Sequence, residues 1–211
     1  MSSMVAVKGK KIILICLIAV LVLGFFATVR YFRLESLNDA IRVGDKDEIA
    51  KQIDKLTAKQ IDSAESSKLI YHPLNLACEK GDFDTVKKLV EKGVNVNARE
   101  HATQNTPLLS ALYNRNSLDR CKIAFYLIEN GADVNAVNKY GETALTRVIC
   151  NSQNTREESI ELFKYLYTHS DVDSMFPNEY MNADNALEMV SDIPELVDWL
   201  THGFSDTNTD L

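Results

Sequence analysis

The four histidines and four cysteines of this chain have the most chemical reach, and their spacing suits no reaction. His72, His101, His169 and His202 are scattered, with no His-x-x-x-His pair to hold zinc from one helix face. His72 sits where a turn residue bonds local backbone, a structural position. His101 reads as a solvated loop residue, and His169 and His202 as last-turn residues, where a cation suits the helix dipole. Cys16 lies in an apolar run, and Cys78, Cys121 and Cys150 lack the short paired spacing of a zinc site or redox dithiol. They read as small buried hydrophobes. Ser110 has no glycine-framed elbow, and no glycine loop could cradle a phosphate. The acidic pairs Asp45/Asp47 and Asp82/Asp84 read as helix N-terminal charges. The expectation is a protein with no catalytic residue, no cofactor and no metal, and so not an enzyme.

With no reacting groups to position, the elements matter for the surface they build. One phrase is written twice, 38 residues apart: Gly93-Val94-Asn95-Val96-Asn97-Ala98 and Gly131-Ala132-Asp133-Val134-Asn135-Ala136. An amphipathic run precedes each copy, Val86, Leu89 and Val90 before the first and Ile123, Tyr126, Leu127 and Ile128 before the second. A Pro-Leu opening stands further upstream, at Pro73-Leu74 and Pro107-Leu108. Self-similarity at this period is the signature of a stacked repeat protein. The same helix–turn–helix pattern runs through Leu37, Ala40 and Ile41, then Gly44-Asp45, then Ile49, Ile53 and Leu56. It returns at Leu74, Leu76 and Ala77, then Gly81-Asp82, then Val86 and Leu89. Ala40, Ala77 and Ala111 leave room for close helix packing. Gly93, Gly131 and Gly203 stand where helices end in the left-handed conformation, and the Asn and Asp residues after the first two suit a turn.

The N-terminus has a different character. Residues 1–11 are short and basic, and residues 12–29 are eighteen residues without a charge. As a helix that run covers about 27 Å, close to the thickness of a bilayer's hydrocarbon core. Arg30, Tyr31, Phe32 and Arg33 follow, basic and aromatic residues suited to an interface. A cleaved signal peptide is one reading. The length of the run and the exit Phe25-Phe26-Ala27-Thr28-Val29-Arg30, without small residues at a cleavage site, favour an uncleaved signal anchor. Lys8, Lys10, Lys11 and the α-amino group outweigh Arg30 and Arg33, which keeps the N-terminus in the cytoplasm and sends the rest across. In a bacterial cell the C-terminal domain is then periplasmic, on a single-pass inner-membrane protein. The net charge of −7 hides an asymmetry: residues 1–33 hold five basic side chains and no acid, so the remainder carries 18 basic against 30 acidic, or −12. So acidic a domain repels phosphate backbones, which speaks against nucleic acid and leaves two readings, a basic protein surface as partner or a well-solvated acidic exterior with no partner.

The run Pro73-Leu74-Asn75-Leu76-Ala77-Cys78-Glu79-Lys80-Gly81-Asp82, continued by Val86, Leu89-Val90, Gly93 and Asn95-Val96-Asn97-Ala98, resembles an ankyrin repeat, with His72 where the family has Thr. A second unit carries Thr106-Pro107-Leu108, Ala111, Leu127-Ile128 and the second copy of the phrase, with extra residues at 113–120 and Ser110 at a commonly apolar position. A third opens at Gly141-Glu142-Thr143-Ala144-Leu145, inserts 151–158 and ends in Asp171-Val172-Asp173. A last, short unit holds Asn185-Ala186-Leu187 and Pro194 through Trp199. The resemblance implies an all-α solenoid, which stands behind the transmembrane helix read from the apolar run. Its segments are 1–11 basic, 12–33 anchor, 34–205 repeats (35–66, 67–100, 101–137, 138–178, 179–205) and 206–211 a polar tail. It implies protein binding through a concave face of first helices and finger loops. The residues it places there are Asn75, Glu79, Arg99, Leu109, Tyr113, Asn138, Tyr140 and Thr146, with fingers at 99–105 and 138–140. Leu109 and Tyr113, one turn apart, should share a face. The insertions are further binding loops or tolerated length variation. The functional expectation is a membrane-tethered interaction module, envelope-located and of immunity type. Its alternatives are a scaffold subunit of a membrane complex and a cytoplasm-facing adaptor.

Overall fold

The structure, a computed structural model, describes the backbone of residues 2–64, 71–113, 119–150, 157–170, 191 and 193–202. Side chains are described within those ranges from residue 18 onward, except at 149, 150, 200 and 202. Every regular element among the described residues is a helix. They are α1 (Ser2–Val43), α2 (Lys46–Lys55), α3 (Ala58–Asp62), α4 (Pro73–Lys80), α5 (Phe83–Glu91), α6 (Pro107–Tyr113), α7 (Arg120–Glu129), α8 (Ala144–Cys150), α9 (Glu157–His169) and α10 (Pro194–His202).

The pairs form where the sequence punctuates them. Asp45 caps α2 by accepting from the Glu48 amide at 3.0 Å, and Asp82 caps α5 by accepting from the Thr85 amide at 3.2 Å. α4 and α6 begin with proline, whose missing N–H costs nothing in a helix's first turn. The C-terminal part of α1 packs beside α4, α4 beside α6, and α6 beside α8, making an inner layer; α2, α5, α7 and α9 form the outer one. Leu37, Leu74, Leu108 and Leu145 fall at matching positions of the inner helices, all buried. Val86, Leu89, Ile123, Leu127, Leu162 and Leu166 fill the space between layers. No single pair could enclose these side chains, so the units stand only as a stack. At the C-terminal end the α10 residue Trp199 meets Phe163 and Tyr167 of α9, with ring centroids 6.4 and 5.6 Å apart.

The twice-written phrase does a specific job. Gly93 and Gly131 take φ of +86° and +88°, which a side chain would strain. Asn95 Oδ1 then accepts from the Asn97 amide at 3.0 Å, and Asp133 Oδ1 from the Asn135 amide at 2.9 Å. Asn97 also reaches into the next unit: its Nδ2 donates to the Gly131 carbonyl at 2.9 Å and its Oδ1 accepts from the Asp133 amide at 2.8 Å. One unit earlier, Asp62 accepts from the Asn95 amide at 3.0 Å. Each turn thus reads the backbone of a neighbouring one.

Several expectations change. α1 is unbroken from residue 2 to 43, so no structural boundary separates an anchor at 12–33 from the first unit at 35–66. That unit also holds α3, started by a capping box in which Thr57 and Gln60 bond each other's backbone amides. Among the described residues no helix is long and apolar enough to cross a membrane. The expected span over 12–29 falls partly outside the described side chains, and its described part, residues 18–29, is shorter than the ~20 residues a crossing needs. Residues 114–118, 151–156 and 171–190 lie outside the described residues, which removes most of both insertions and much of the last unit. So does the tail, 206–211. His72 precedes α4 without a capping bond, and its buried ring has no hydrogen-bond partner. Asp62 Oδ1 lies 3.6 Å from its Nε2. Thr106 and Thr143, at the same place in the next units, accept from the amides of Leu109 and Thr146.

Asn97→Ala removes both inter-unit bonds and should destabilise the stack by about 1–2 kcal/mol in urea unfolding, while Lys87→Ala on the outer face should change stability by less than about 0.5 kcal/mol.

Candidate functional site: a groove under the finger loops

The loops that follow α5 and α7 fold back as narrow hairpins. In the first, the Glu100 amide donates to the Asn105 carbonyl at 3.0 Å, and in the second the Asn138 amide donates to the Glu142 carbonyl at 3.1 Å. The two fingers are bonded together, the Lys139 amide to the Thr103 carbonyl at 3.1 Å and the Lys139 ammonium to the Ala102 carbonyl. The second finger turns at Gly141, φ +79°, and the first at Gln104, φ +60°. A side chain in that conformation costs roughly 1–2 kcal/mol. Gln104 is held there by its amide, which donates to the Glu100 carbonyl at 2.8 Å, and by its side chain, which donates to the same oxygen at 3.2 Å.

Between these fingers and the inner helices runs a groove of about 490 Å³. Its aromatic side chains are Tyr71, Tyr113 and Tyr140, and its carboxylates Glu79, Glu100 and Glu142. Asn75, Thr103, Asn105, Ser110 and Arg147 complete the lining. Arg147 comes from α8 and is 6% exposed, a buried charge that needs compensation. Its Nη2 donates to Glu142 Oε2 at 2.6 Å and to Asn105 Oδ1 at 3.2 Å, and its Nη1 to the Leu109 carbonyl at 2.6 Å. Asn138 joins the network, its Nδ2 donating to Asn105 Oδ1 at 2.8 Å and Glu142 Oε2 at 2.7 Å. The Arg147 guanidinium also lies 5.2 Å from the centre of the Tyr113 ring, so one cation neutralises Glu142 and props an exposed aromatic.

The expected surface residues divide three ways. Glu79, Tyr113 and Tyr140 are exposed and line the groove, the tyrosines at 64% and 59%. Asn75 lines it from below: it is 2% exposed, and its Nδ2 donates to the Asn105 carbonyl at 2.8 Å and Ser110 Oγ at 3.3 Å. Leu109, Thr146, Asn138 and Arg99 are structural. Leu109 is 1% exposed and does not share a surface with Tyr113; α8 packs beside α6, and its Arg147 donates to the Leu109 carbonyl. Thr146 bonds Thr143, Asn138 braces its own finger by accepting from the Tyr140 and Glu142 amides, and Arg99 donates to the Val137 carbonyl at 2.8 Å. Glu100 falls within the expected finger at 99–105, whereas Arg147, Glu142 and Tyr71 are groove residues outside the expected surface. Arg147 carries a sequence signal, a charge inside the short stretch 144–150, where all the other residues except Thr146 are apolar.

Burial pushes the Cys78 thiol up, so it is an inert core residue rather than a nucleophile. Among the described residues no three metal-ligating side chains converge.

Comparison with known proteins agrees with this geometry. The family model for ankyrin repeats (3 copies) matches residues 37–138 and 74–175. Ankyrin repeat and SOCS box protein 6 of Homo sapiens is 31% identical over 96 residues, 46% of this chain and 22% of that protein. The putative ankyrin repeat protein YahD of Escherichia coli (strain K12) is 39% identical over 74 residues, 34% of this chain and 36% of that protein. The chain thus spans less than a quarter of the human relative and little more than a third of the bacterial one.

Glu142 gives a pH test of the network. Burial acts to raise its carboxyl from 4.5, but the Arg147 and Asn138 hydrogen bonds outweigh burial and hold it below the ordinary range. A folded-state value below the unfolded one stabilises above the unfolded value and is lost as pH falls through the folded one. Thermal unfolding of wild type and Glu142→Gln should therefore differ at neutral pH, with the gap closing as pH falls below about 4.5.

Proposed function

Because the chain belongs to the ankyrin-repeat family, we propose that it is a protein-binding module whose partner lays a basic segment in the groove under the fingers. Stacks of this family are interaction modules, and this one offers a recess rather than a catalytic constellation. The observation that carries the reading is the groove's chemistry: exposed Tyr113 and Tyr140 beside Glu79, Glu100 and Glu142. Aromatic side chains give large contact area at low entropic cost, which suits the centre of an interface. The groove's one arginine is bound to Glu142, Asn105 and the Leu109 carbonyl, so a guest lysine or arginine meets carboxylates rather than a free cation.

The reading includes a membrane tether. Ile18, Leu21, Leu23, Phe25, Phe26 and Phe32 of α1 are all exposed. A helix that bares large apolar side chains around its circumference needs an apolar environment. Residues 12–17 continue the run toward the N-terminus. Lys8, Lys10 and Lys11 support a cytoplasmic N-terminus with the repeats across the membrane.

Peptide arrays graded by charge test the groove. Basic peptides should bind and acidic ones should not; Glu79→Lys should weaken the basic binders by about tenfold or more, and added salt should weaken them too. Binding indifferent to Glu79→Lys and Tyr140→Ala would refute the groove reading. For the tether, the full chain should stay with membranes through an alkaline wash, whereas deletion of residues 2–29 should release a folded stack into the supernatant.

A further inference from the structure

The helix that bares its apolar side chains also helps to build the groove. At its C-terminal end α1 is the inner helix of the first unit: Leu34, Leu37, Ala40 and Ile41 are buried in the core. Asn38 Nδ2 donates to the Tyr71 carbonyl at 2.8 Å, and the Arg42 guanidinium lies 6.0 Å from the centre of the Tyr71 ring. Tyr71 is a groove residue. Between Val29, where the apolar run ends, and Val43 there is no glycine or proline to bend the helix. Tether and groove are therefore parts of one rigid body. Asn38 is nine residues past Val29, or about 13 Å along the axis, and a helix tilt of about 20° barely shortens this. Toward the apolar run the charge on the helix is mixed: Glu35 and Asp39 both bond Arg42, at 3.3 and 2.7 Å, and Arg33 and Arg30 lie nearer the run.

We propose that the segment read by this groove is juxtamembrane: an extended stretch of another membrane protein carrying a lysine or arginine within a few residues of where that protein leaves the bilayer. The proposal rests on the groove and tether readings above. An extended chain rises about 3.3 Å per residue, so roughly four residues cover the 13 Å from the bilayer to the level of Asn38. A lysine or arginine just beyond a membrane span anchors the helix end at the interface. Its charge meets the sign of the groove carboxylates Glu79 and Glu100. That sign disfavours an anionic lipid headgroup inside the groove. A soluble partner would gain nothing from a groove held this close to the surface. A membrane partner gains effective concentration, because both molecules are confined to one plane at a matched height.

The test uses the full chain in phosphatidylcholine vesicles, with a photoreactive phenylalanine analogue at position 140 of the finger. The probes are synthetic single-pass peptides. One carries a lysine about five residues beyond its span, and a second carries the same segment raised on a polyproline spacer of about 15 residues, some 45 Å long. The near-lysine peptide should crosslink about tenfold more than the raised one. Inserting a flexible Gly/Ser linker between Arg33 and Leu34, which leaves residues 34–43 intact, should abolish that preference without abolishing crosslinking. Equal crosslinking of near and raised peptides would overturn the juxtamembrane inference while leaving the groove reading standing. Crosslinking of lipid in place of peptide would also overturn it. If neither peptide crosslinks, and a soluble basic peptide fails to bind the detergent-solubilised chain, the groove reading itself falls.

Discussion

Everything in this molecule depends on one constraint: a pair of short helices cannot enclose its own apolar face. Each unit must borrow cover from the next, and the borrowing is directed by hydrogen bonds as well as by oil-like contact. Asn38 donates to the Tyr71 carbonyl, Asn75 to the Asn105 carbonyl and Asn97 to the Gly131 carbonyl, each reaching into the following unit. Arg147 reaches in the opposite direction, to the Leu109 carbonyl. Hydrophobic burial sets how much the stack is stabilised, but it is non-directional. These amide and guanidinium bonds fix the angle and register at which one unit sits on another. The groove is a by-product of that register, since its walls come from adjacent units.

Different parts of this arrangement were legible to different degrees. Apolar periodicity, the Gly-Asp turns and the repeated Gly-x-x-Val-Asn-Ala phrase identify the helix pairs, because those signals are local. Which side chains remain exposed is not local. Leu109 and Tyr113 share a helical face in isolation, yet in the stack the first is 1% exposed and the second 64%, with the Arg147 guanidinium beside its ring. Asn75, Asn138 and Thr146 look like surface polar residues and are spent on backbone and side-chain bonds within the scaffold. A charge inside a short helix, such as Arg147, has no meaning until its partners, up to 42 residues away in the chain, are brought beside it. The capping box at Thr57 and Gln60 is a purely local signal, a Thr followed three residues later by Gln.

The site lies where the repeats depart from one another. The inner-helix position occupied by Asn38 and Asn75 becomes Leu109 in the following unit, and Arg147 fills the space beside it. Gln104 takes a left-handed conformation where the next finger has Gly141, and its side chain helps hold the strained turn. Local strain of this kind persists only where surrounding structure over-determines it. Here the surroundings are the Glu100 carbonyl, the Arg99 guanidinium on the Gln104 carbonyl and the bonds to the second finger. A finger so held presents Thr103 and Glu100 to the groove with little freedom left to lose on binding, which lowers the entropic cost of taking a guest.

The electrostatics of the groove follow from the same bookkeeping. A buried arginine at a groove invites a reading as the group that recognises an anionic partner. Arg147 cannot serve that role, because its Nη atoms donate to Glu142, Asn105 and the Leu109 carbonyl, and withdrawing them would strand a charge in the interior. Its effect on the surface is indirect: it fixes Glu142 and supports the Tyr113 ring. Neutralising one carboxylate of three leaves the groove negative, in a domain that is already acidic overall. The scaffold's need to satisfy one buried cation thus leaves the remaining carboxylates, Glu79 and Glu100, to set the sign of what can enter.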